Sequence, residues 1–351
     1  MKSEEIAKLA GVSRSTVSRV VNNYKNVPKE TRDKVMQVIE QYNYVPNTMA
    51  RALAGKGTNT IGLFIVSVSD KKSHNRIYQN NYFAPFVDAV IDLANQSGYY
   101  VLVHTIYEKK DFLKITEAFS QKRIDGGIII GTEKNTETIN RLINADYPLV
   151  IIDYDFNEIL NFNTQKKNVV VINSSDYEGT ADALNYLISL GHKKIGFISG
   201  RTSTFSGKQR LKAYKDTIKK NNILINDDFI LKGDFIKEKT RNSVQRLIDS
   251  KNLPTAILSS NDDMALVAMD VFESSGIKIP DDISIAGFDD VPFASQVHPA
   301  LTTVRLPVYL MAEKAIEFLS IMIKKDTTVF TQFIVSTELV IRESCRELIS
   351  D

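Results

Sequence analysis

The sequence predicts a two-part protein with a small all-α helix-turn-helix head and an α/β core of two doubly wound lobes, each built on a parallel sheet. Three observations support this fold class. The first 57 residues are basic and carry three short helical patterns. From Thr60 onward, short β-rich runs alternate with amphipathic helical stretches, which is typical of parallel sheets covered by helices on both faces. The predicted strands are too many for one small sheet, and 351 residues allow two or three domains.

Charge is distributed unevenly along the chain. Residues 1–57 contain ten Lys and Arg against five Asp and Glu, whereas the remaining residues contain 34 against 37. A basic head on a slightly acidic core predicts that the head binds a polyanion and that the core does not.

The composition also bears on location and cofactors. The single cysteine, Cys345, can form neither an internal disulfide nor a cysteine metal site. The polar, acidic start of the chain lacks the basic and apolar segments of a signal peptide, and no apolar run is long enough to span a membrane. We therefore expect a cytoplasmic protein without a membrane partner, and we expect no metal and no cofactor.

The head contains the pattern of a helix-turn-helix. A helix from Glu4 to Ala10 is predicted to end at Gly11, and Ser13 is placed to cap the next helix. A third helix over 29–42 would close a three-helix core. The second helix is expected to pack on the first, and the apolar side chains that the second and third helices would supply are Val17, Val20, Val21, Val35, Val38 and Ile39.

The opposite face of the second helix is polar and cationic. A tight turn before this helix would place its first residues in the major groove of DNA. An arginine there can pair with guanine O6 and N7, and a serine can bind bases or phosphates. The residues on this face are Arg14, Ser15, Ser18 and Arg19. A solvated face that binds nothing is the alternative interpretation.

Residues 6–22, with the sequence IAKLAGVSRSTVSRVVN, closely resemble the head of the lactose-repressor family, which includes the lactose, galactose and purine repressors. The resemblance implies that Arg14, Ser15 and Arg19 contact base edges. The residues that it implies to hold phosphates are Ser13, Thr16, Asn22 and Tyr44.

Residues 44–47, Tyr-Val-Pro-Asn, resemble the family's exit from the third helix, and Asn47 to Ala54 resembles its hinge helix. In the family, the hinge helices of two subunits pair over the operator centre. The resemblance therefore assigns Asn47 to the DNA interface, Ala50 to the contact with the partner hinge and Leu53 to the minor groove. An inserted leucine unstacks base steps, and contacts in the bent complex offset that cost. Because so short a helix is marginal alone, folding only on operator DNA would let the core control it.

The resemblance extends to residues 336–344 and implies the ligand-binding core that the family shares with periplasmic sugar-binding proteins. We expect a DNA-binding head over 1–46, a hinge and linker over 47–59 and an effector-binding, dimerising core over 60–351. The core chain is expected to cross between its lobes three times, first along the polar stretch 157–168. The expected lobe limits are about 60–160 and 292–320 for the N-lobe, and about 165–290 and 325–345 for the C-lobe.

Ligands of open α/β sheets bind beyond the carboxyl ends of the strands, which here means the cleft between the lobes. Asp153, Asn261 and Asp289 each follow a predicted strand, and carboxylates and amides suit the hydroxyl groups of a neutral polyol. The resemblance adds Arg210, whose fork can bridge adjacent hydroxyls, and Phe235, an aromatic wall for a sugar face. Helix caps or packed core groups are the alternative uses of these residues.

Residues 69–81 form a longer polar stretch than the family has after its first strand. This stretch is either a solvated loop or an element that enlarges or gates the pocket. The identity of the effector therefore stays open.

Together, these features predict a repressor of carbohydrate-utilisation genes whose operator affinity is controlled by a sugar, a sugar phosphate or a related metabolite. The expected partners are pseudo-palindromic double-stranded operator DNA and a second copy of the chain. A homodimer is expected because too few residues follow residue 344 for the added tetramerisation helix of the lactose repressor. Induction and corepression are both open.

Two alternatives come from other classes of protein. A solute-binding protein for transport would use the core alone, but the basic head argues against it. An α/β enzyme acting on sugars would need reactive groups, and the sequence contains no Gly-x-Ser-x-Gly elbow, phosphate-binding loop or zinc-spaced histidine pair. The sequence therefore favours a protein that is not an enzyme.

Overall fold

The structure, a computed structural model, describes residues 1–21, 24–44, 57–67, 81–131, 137–160, 168–324 and 328–348. The predicted hinge helix and positions 69–80 of the longer polar stretch lie outside the described residues. The same holds for four residues predicted to bind DNA, namely Asn22, Asn47, Ala50 and Leu53. The chain divides into two compact units, Met1–Thr58 and Asn59–Asp351. In the described part of the chain, no helix is both long and apolar enough to cross a membrane.

The N-terminal unit is a three-helix head with a shared apolar core. Its helices are α1 (Ser3–Ala10), α2 (Arg14–Val21) and α3 (Lys29–Gln41). Gly11 ends α1 in the left-handed region, at a φ of +63°, and the Thr16 N–H donates to Ser13 Oγ at 3.1 Å to cap α2. The side chains buried in the shared core are Ile6, Ala7, Ala10, Val17, Val20, Val27 and Val35. The predicted cap and the predicted three-helix core are confirmed.

The core begins with a six-stranded parallel sheet, which forms the first lobe. Its strands in spatial order are β2 (Tyr100–Ile106), β1 (Thr60–Val66), β3 (Gly126–Ile130), β4 (Leu149–Ile152), β5 (Val169–Ser174) and β11 (Phe330–Val335). Every residue of β3, β4 and β5 is buried, which explains why these strands are mainly apolar runs rather than alternating patterns.

Helices cover both faces of this first sheet. Helices α4 (Phe83–Gln96) and α12 (Val308–Lys324) pack on one face. Helices α5 (Leu113–Ser120), α6 (Glu137–Asn144) and the short α7 (Phe156–Leu160) pack on the other. The lobe is therefore doubly wound, as predicted.

The second lobe is a four-stranded parallel sheet that is also covered on both faces. Its strands in spatial order are β7 (Ile230–Lys232), β6 (Ile195–Ser199), β8 (Ala256–Ser259) and β9 (Ser284–Ala286). The helices are α8 (Asp176–Ser189) and α9 (Phe205–Lys220) on one face, and α10 (Lys237–Asp249) and α11 (Asp262–Ser274) on the other. Short 3-10 helices cover Lys109–Phe112, Asp227–Phe229 and Pro292–Ser295. The predicted alternation of strands and helices is therefore present in both lobes.

The lobe limits predicted from the sequence need correction. Strand β5 pairs with β4 and β11 in the first sheet, so the first crossing between the lobes follows Ser174 and does not lie along 157–168. For the same reason, 325–345 does not belong wholly to the second lobe. Ala294 and Leu301 lie in the core of the second lobe, whereas Leu306 lies in that of the first, so the return to the first lobe begins well after residue 292. The predicted limits were wrong because long-range pairing, and not a polar stretch, decides which sheet a strand joins.

The three crossings between the lobes are held together. The second and third crossings pair as a two-stranded antiparallel sheet of β10 (Thr303–Arg305) and β12 (Glu338–Val340). On the first crossing, Ser175 Oγ lies 3.0 Å from Oγ1 of Thr337, which precedes β12. A change in the arrangement of the lobes must therefore act on all three crossings together.

Candidate ligand pocket and nucleic-acid interface

The core contains a cavity of about 90 Å³ between its two sheets. A single water occupies about 10–15 Å³ of such space, so the cavity has room for a small solute. The carboxyl ends of strands from both lobes surround it, and all five residues predicted from the sequence line it. The lining residues are Val66, Tyr82, Phe83, Gly131, Asp153, Ser174, Arg201, Thr204, Ser206, Arg210, Phe235, Asn261, Asp289, Leu306 and Met311.

Arg210 on α9 is buried and surrounded by acceptors from the protein itself. Its Nε donates to Asp176 Oδ1 at 2.7 Å, and its Nη1 donates to the Ser260 carbonyl and, at 3.4 Å, to Asp289 Oδ1. The guanidinium also lies 3.6 Å from the ring centroid of Phe288. Two of its three nitrogens are thus engaged within the protein, so Arg210 serves as the buried counterion of Asp176 and, at a longer distance, of Asp289 at the pocket wall.

Asp289 presents a carboxylate from the end of β9. Burial raises the pKa of Asp289 to about 7, although the charge of Arg210 opposes that rise. Its backbone lies at a φ of +116°, which is unusual for a residue with a side chain. The N–H of Asp289 donates to the Val304 carbonyl at 2.8 Å, and its carbonyl accepts from the Leu306 N–H at 3.2 Å.

Asp153 comes from the other lobe and contacts the second lobe directly. Its two carboxylate oxygens accept from the Ser206 N–H at 2.7 Å and from Ser206 Oγ at 2.8 Å. Burial, followed by the nearby charge of Asp176, raises the pKa of Asp153 to about 6 despite these hydrogen bonds. Asp153 therefore both lines the pocket and connects its two walls.

Asn261 combines a cap with a position in the pocket. Its Oδ1 accepts from the Met264 N–H at 3.0 Å and so caps α11, as the alternative interpretation of this residue allowed. Because the oxygen is engaged, the Nδ2 amide is the atom that can donate to a ligand.

Aromatic rings from both lobes supply the apolar walls. Tyr82 and Phe83 of the first lobe lie with ring centroids 5.3 Å apart, tilted by 53°. Burial raises the pKa of the Tyr82 phenol well above its ordinary value, so this group stays protonated. In the second lobe, Phe235 packs on Gly200, where a Cβ atom would come within 2.1 Å of the ring. The glycine is thus needed for Phe235 to occupy this position.

Most of the described side chains predicted to contact DNA lie on α2 or at its start. Arg14, Ser15, Ser18 and Arg19 are exposed, as is Ser13, and Thr16 is half-buried. Arg14 Nη1 lies 3.4 Å from Glu4 Oε1 with both side chains more than 60% exposed, a pair weak enough to exchange for a base contact. Tyr44 is half-buried against the core of the head, so packing contributes to its position.

Comparisons with known proteins agree with this architecture. Residues 4–47 match the bacterial regulatory proteins of the lacI family, and residues 184–345 match the periplasmic binding protein-like domain. The probable HTH-type transcriptional repressor ExuR of Bacillus subtilis is 32% identical over 346 residues, which cover 98% of each chain. The HTH-type transcriptional repressor PurR of Photobacterium profundum is 31% identical over 350 residues, again 98% of each chain.

The chain belongs to the lacI family of bacterial regulatory proteins. This lacI-family protein is a DNA-binding transcriptional repressor with a ligand-binding core, which confirms the predicted fold class and the predicted function.

Solved structures of other lacI-family proteins share the fold. The lac repressor dimer bound to operator and the anti-inducer ONPF gives a TM-score of 0.79 at 26% identity, with 99% of each chain covered. The complex of the transcriptional regulator CelR with cellobiose gives a TM-score of 0.73 at 25% identity, covering 98% of this chain and 99% of that one.

Several lining residues of this lacI-family pocket were not predicted from the sequence. Ser174 and Arg201 stand at or just after strand ends, so applying the strand-end rule to every strand would have found them. Ser206 lies one helical turn before Arg210, and residues four apart share one face of a helix, so the prediction of Arg210 could have been extended to Ser206. Tyr82 directly follows the longer polar stretch, and no sequence pattern places it in the cleft.

Proposed function

We propose that a sugar or a related polyhydroxylated metabolite binds between the lobes and changes the affinity of the repressor for its operator. One observation carries this proposal. Five residues predicted from separate segments of the chain, Asp153, Arg210, Phe235, Asn261 and Asp289, converge on a single cavity. Such convergence favours a ligand site over five independent caps or packing groups.

The chemistry of the pocket suits hydroxyl groups on a ring. Asp153 and Asp289 can accept from hydroxyls, and Asn261 Nδ2 can donate to one. Phe83 and Phe235 offer aromatic surfaces from opposite lobes to the C–H faces of a sugar ring. The cellobiose complex of CelR, a structural neighbour, supports the choice of a sugar. Because the relatives are named as repressors, we assign the pocket to ligand sensing rather than to catalysis.

For the head, we propose that Arg14, Ser15 and Arg19 contact base edges, with Ser18 on the same face. The residues that we propose to hold phosphates are Ser13, Thr16, Asn22 and Tyr44. Residues 47–59 would form the hinge and linker, in which Asn47 contacts DNA, Ala50 contacts the partner hinge and Leu53 enters the minor groove. The exposure of the α2 surface supports the first of these assignments.

We further propose that the protein acts as a homodimer on pseudo-palindromic operator DNA in the bacterial cytoplasm. The lac repressor dimer bound to operator, which shares this fold over 99% of the chain, supports the dimer. Two heads related by a twofold axis match the two halves of a palindrome.

The switch needs only a modest difference in ligand affinity between two lobe arrangements. A coupling free energy of about 1–3 kcal/mol changes operator affinity about 5–150-fold. A ligand that prefers the DNA-binding arrangement acts as a corepressor, and a ligand that prefers the other acts as an inducer.

Fluorescence anisotropy of labelled DNA from upstream of the protein's own gene tests the proposal. The full-length protein is titrated at fixed salt with a panel of monosaccharides, cellobiose and sugar phosphates, because salt alone alters DNA affinity. We expect one compound to change specific binding, and we expect Asp289→Ala to remove that response while retaining DNA binding.

The matched control for this experiment is Asp270→Ala, which removes a carboxylate more than half exposed on α11. This variant should respond like the wild type. Binding that depends only on salt, and that is equal for unrelated DNA, would contradict the proposal.

A further inference from the structure

The pocket residue Asp289 is followed directly by a second acidic residue that does not line the ligand cavity. Asp290 is absent from the pocket lining, and its side chain is 10% exposed. It lies instead against the segments that cross between the lobes. Its contacts therefore join the ligand site to the part of the fold about which the lobes must move.

Asp290 contacts two crossings with one carboxylate. Its Oδ2 accepts from Arg305 Nε at 2.8 Å, and Arg305 lies on β10 of the second crossing. Its Oδ1 accepts from Arg342 Nη2 at 2.5 Å, and Arg342 follows β12 of the third crossing. Charge-assisted hydrogen bonds of this kind are about twice as strong as neutral ones.

The two arginines extend these contacts into a network. Arg305 Nη1 also donates to Glu338 on β12 at 3.0 Å, and Arg342 Nη1 donates to the Leu301 carbonyl at 2.8 Å, just before β10. We call Asp290, Arg305, Glu338 and Arg342 the crossover clamp. The clamp fixes β10 and β12 to each other and to the strand end that carries Asp289.

The backbone between the pocket and the clamp has little freedom. Asp289 and Asp290 have φ values of +116° and +58°, both in the region that side-chain-bearing residues rarely adopt. Asp289 is also hydrogen-bonded on both sides to the second crossing, through Val304 and Leu306. Such a conformation persists only where the surroundings hold it, and here the backbone bonds of Asp289 and the ion pairs of Asp290 do so.

We propose that Asp290 is a positioning residue that couples the ligand pocket to the lobe crossings, through the crossover clamp. The proposal rests on the proposed function, since it names how that pocket communicates. A ligand at Asp289 restrains one end of the dipeptide, and Asp290 transfers the restraint to both paired crossings. A change of lobe arrangement then requires the ion pairs of the clamp to rearrange. Without the Asp290 charge, the lobes move independently of the ligand.

The variant Asp290→Asn isolates the charge. Asparagine tolerates the left-handed conformation as well as aspartate does, so the backbone at residue 290 is retained while the charge of the clamp is lost. The matched control is Asp270→Asn, which breaks the Arg241–Asp270 pair, where both side chains are more than half exposed and both helices belong to the second lobe. If Asp290→Asn fails to fold, Arg305→Gln breaks the same link from an arginine that is half exposed.

The first measurement needs no ligand. Spin labels are attached to the cysteines of Ser120→Cys and Ser250→Cys in a Cys345→Ser background of the full chain. Pulsed electron paramagnetic resonance then measures the distance between the two lobes. Both serines are exposed and lie at helix ends that lead into the amino ends of strands. We expect a broader distance distribution for Asp290→Asn and an unchanged one for Asp270→Asn. Superimposable distributions for Asp290→Asn and the wild type would overturn the proposal.

The second measurement uses the anisotropy assay with the same panel of monosaccharides, cellobiose and sugar phosphates. In Asp290→Asn, the factor by which the active compound changes operator affinity should fall toward one, while the affinity for that compound by calorimetry stays near the wild-type value. A fully retained factor would overturn the coupling role. If no compound acts on the wild type, the proposed function fails, and the distance measurement still decides whether Asp290 holds the crossings.

Discussion

Replacing Arg210 with methionine tests how the pocket is stabilised. Methionine keeps most of the apolar volume but removes the hydrogen bonds to Asp176, Ser260 and Asp289. Two carboxylates then lose their buried counterion, and removal of one partner of a buried pair costs about 3–5 kcal/mol. The control Arg241→Met removes a pair with Asp270 in which both side chains are more than half exposed, and such pairs contribute about 0–1 kcal/mol.

Differential scanning calorimetry of the full chain measures the effect. The unit Asn59–Asp351 has almost 300 residues. An unfolding entropy of about 2.1 cal/mol/K per residue then corresponds to roughly 0.6 kcal/mol/K for this unit. If the core unfolds as one unit, Arg210→Met lowers Tm by about 5–8 °C and Arg241→Met by less than about 2 °C.

Two further results bear on this reasoning. Because a carboxylate without its counterion can take up a proton, the Tm difference between Arg210→Met and the wild type should be smaller at pH 5 than at pH 8. Adding Asp176→Asn to Arg210→Met should recover part of the loss, since it removes an uncompensated charge. Equal Tm shifts for Arg210→Met and Arg241→Met, or a loss that does not depend on pH, would refute the account of a buried charge cluster.

Three other predictions concern pH, the lobe contact and DNA. The pKa values of Asp153 and Asp289 are raised from 3.8 to about 6 and about 7. Between the unfolded pKa of 3.8 and these folded values, the folded state binds more protons than the unfolded state. Their contribution to the free energy of unfolding is therefore fully present below about pH 4 and is lost as pH rises through 6 to 7. Urea titrations from pH 5 to 8 should show this decline, and Asp289→Asn should flatten its upper part; an identical slope in the variant would contradict the prediction. Ser206→Ala removes one of two hydrogen bonds to Asp153 and should weaken ligand binding up to about tenfold by calorimetry, whereas unchanged affinity would mean that the bound state does not use this contact. Arg14→Ala or Arg19→Ala should weaken operator binding by about 1–3 kcal/mol in anisotropy titrations while affecting unrelated DNA less, and an equal loss on both DNAs would assign the arginine to phosphates.

The sequence predicted the strands and the pocket because both follow from local rules. A fully buried parallel strand is mainly a run of apolar residues, as in Val169–Ser174 and Ala256–Ser259, and such runs are visible without knowledge of their partners. The carboxyl ends of parallel strands meet at one edge of a sheet, so Asp153, Asn261 and Asp289 could be grouped before their distances were known. The resemblance added Arg210 and Phe235, which no strand-end argument favours over their neighbours.

The lobe limits could not be predicted because they depend on pairing between distant segments. Val169–Ser174 is a buried run like strands of both sheets, and nothing in it indicates that it pairs with Phe330–Val335 from the far end of the chain. The contact between Asp153 and Ser206 is hidden for the same reason. Two residues in different lobes meet only after both sheets and all three crossings are in place.

The positive φ values of three pocket residues indicate that this site lowers the stability of the fold. Asp153, Phe235 and Asp289 all line the cavity, and all three have positive φ values, of +59°, +59° and +116°. Each such residue costs about 1–3 kcal/mol, a cost that glycine would avoid. A glycine, however, would supply neither a carboxylate nor a ring. Because each residue lies where the chain turns away from a sheet, the turn that strains the backbone also directs its side chain into the cleft. Stability and ligand recognition therefore make opposite demands at the same three positions, and the large buried cores of the two lobes allow recognition to prevail.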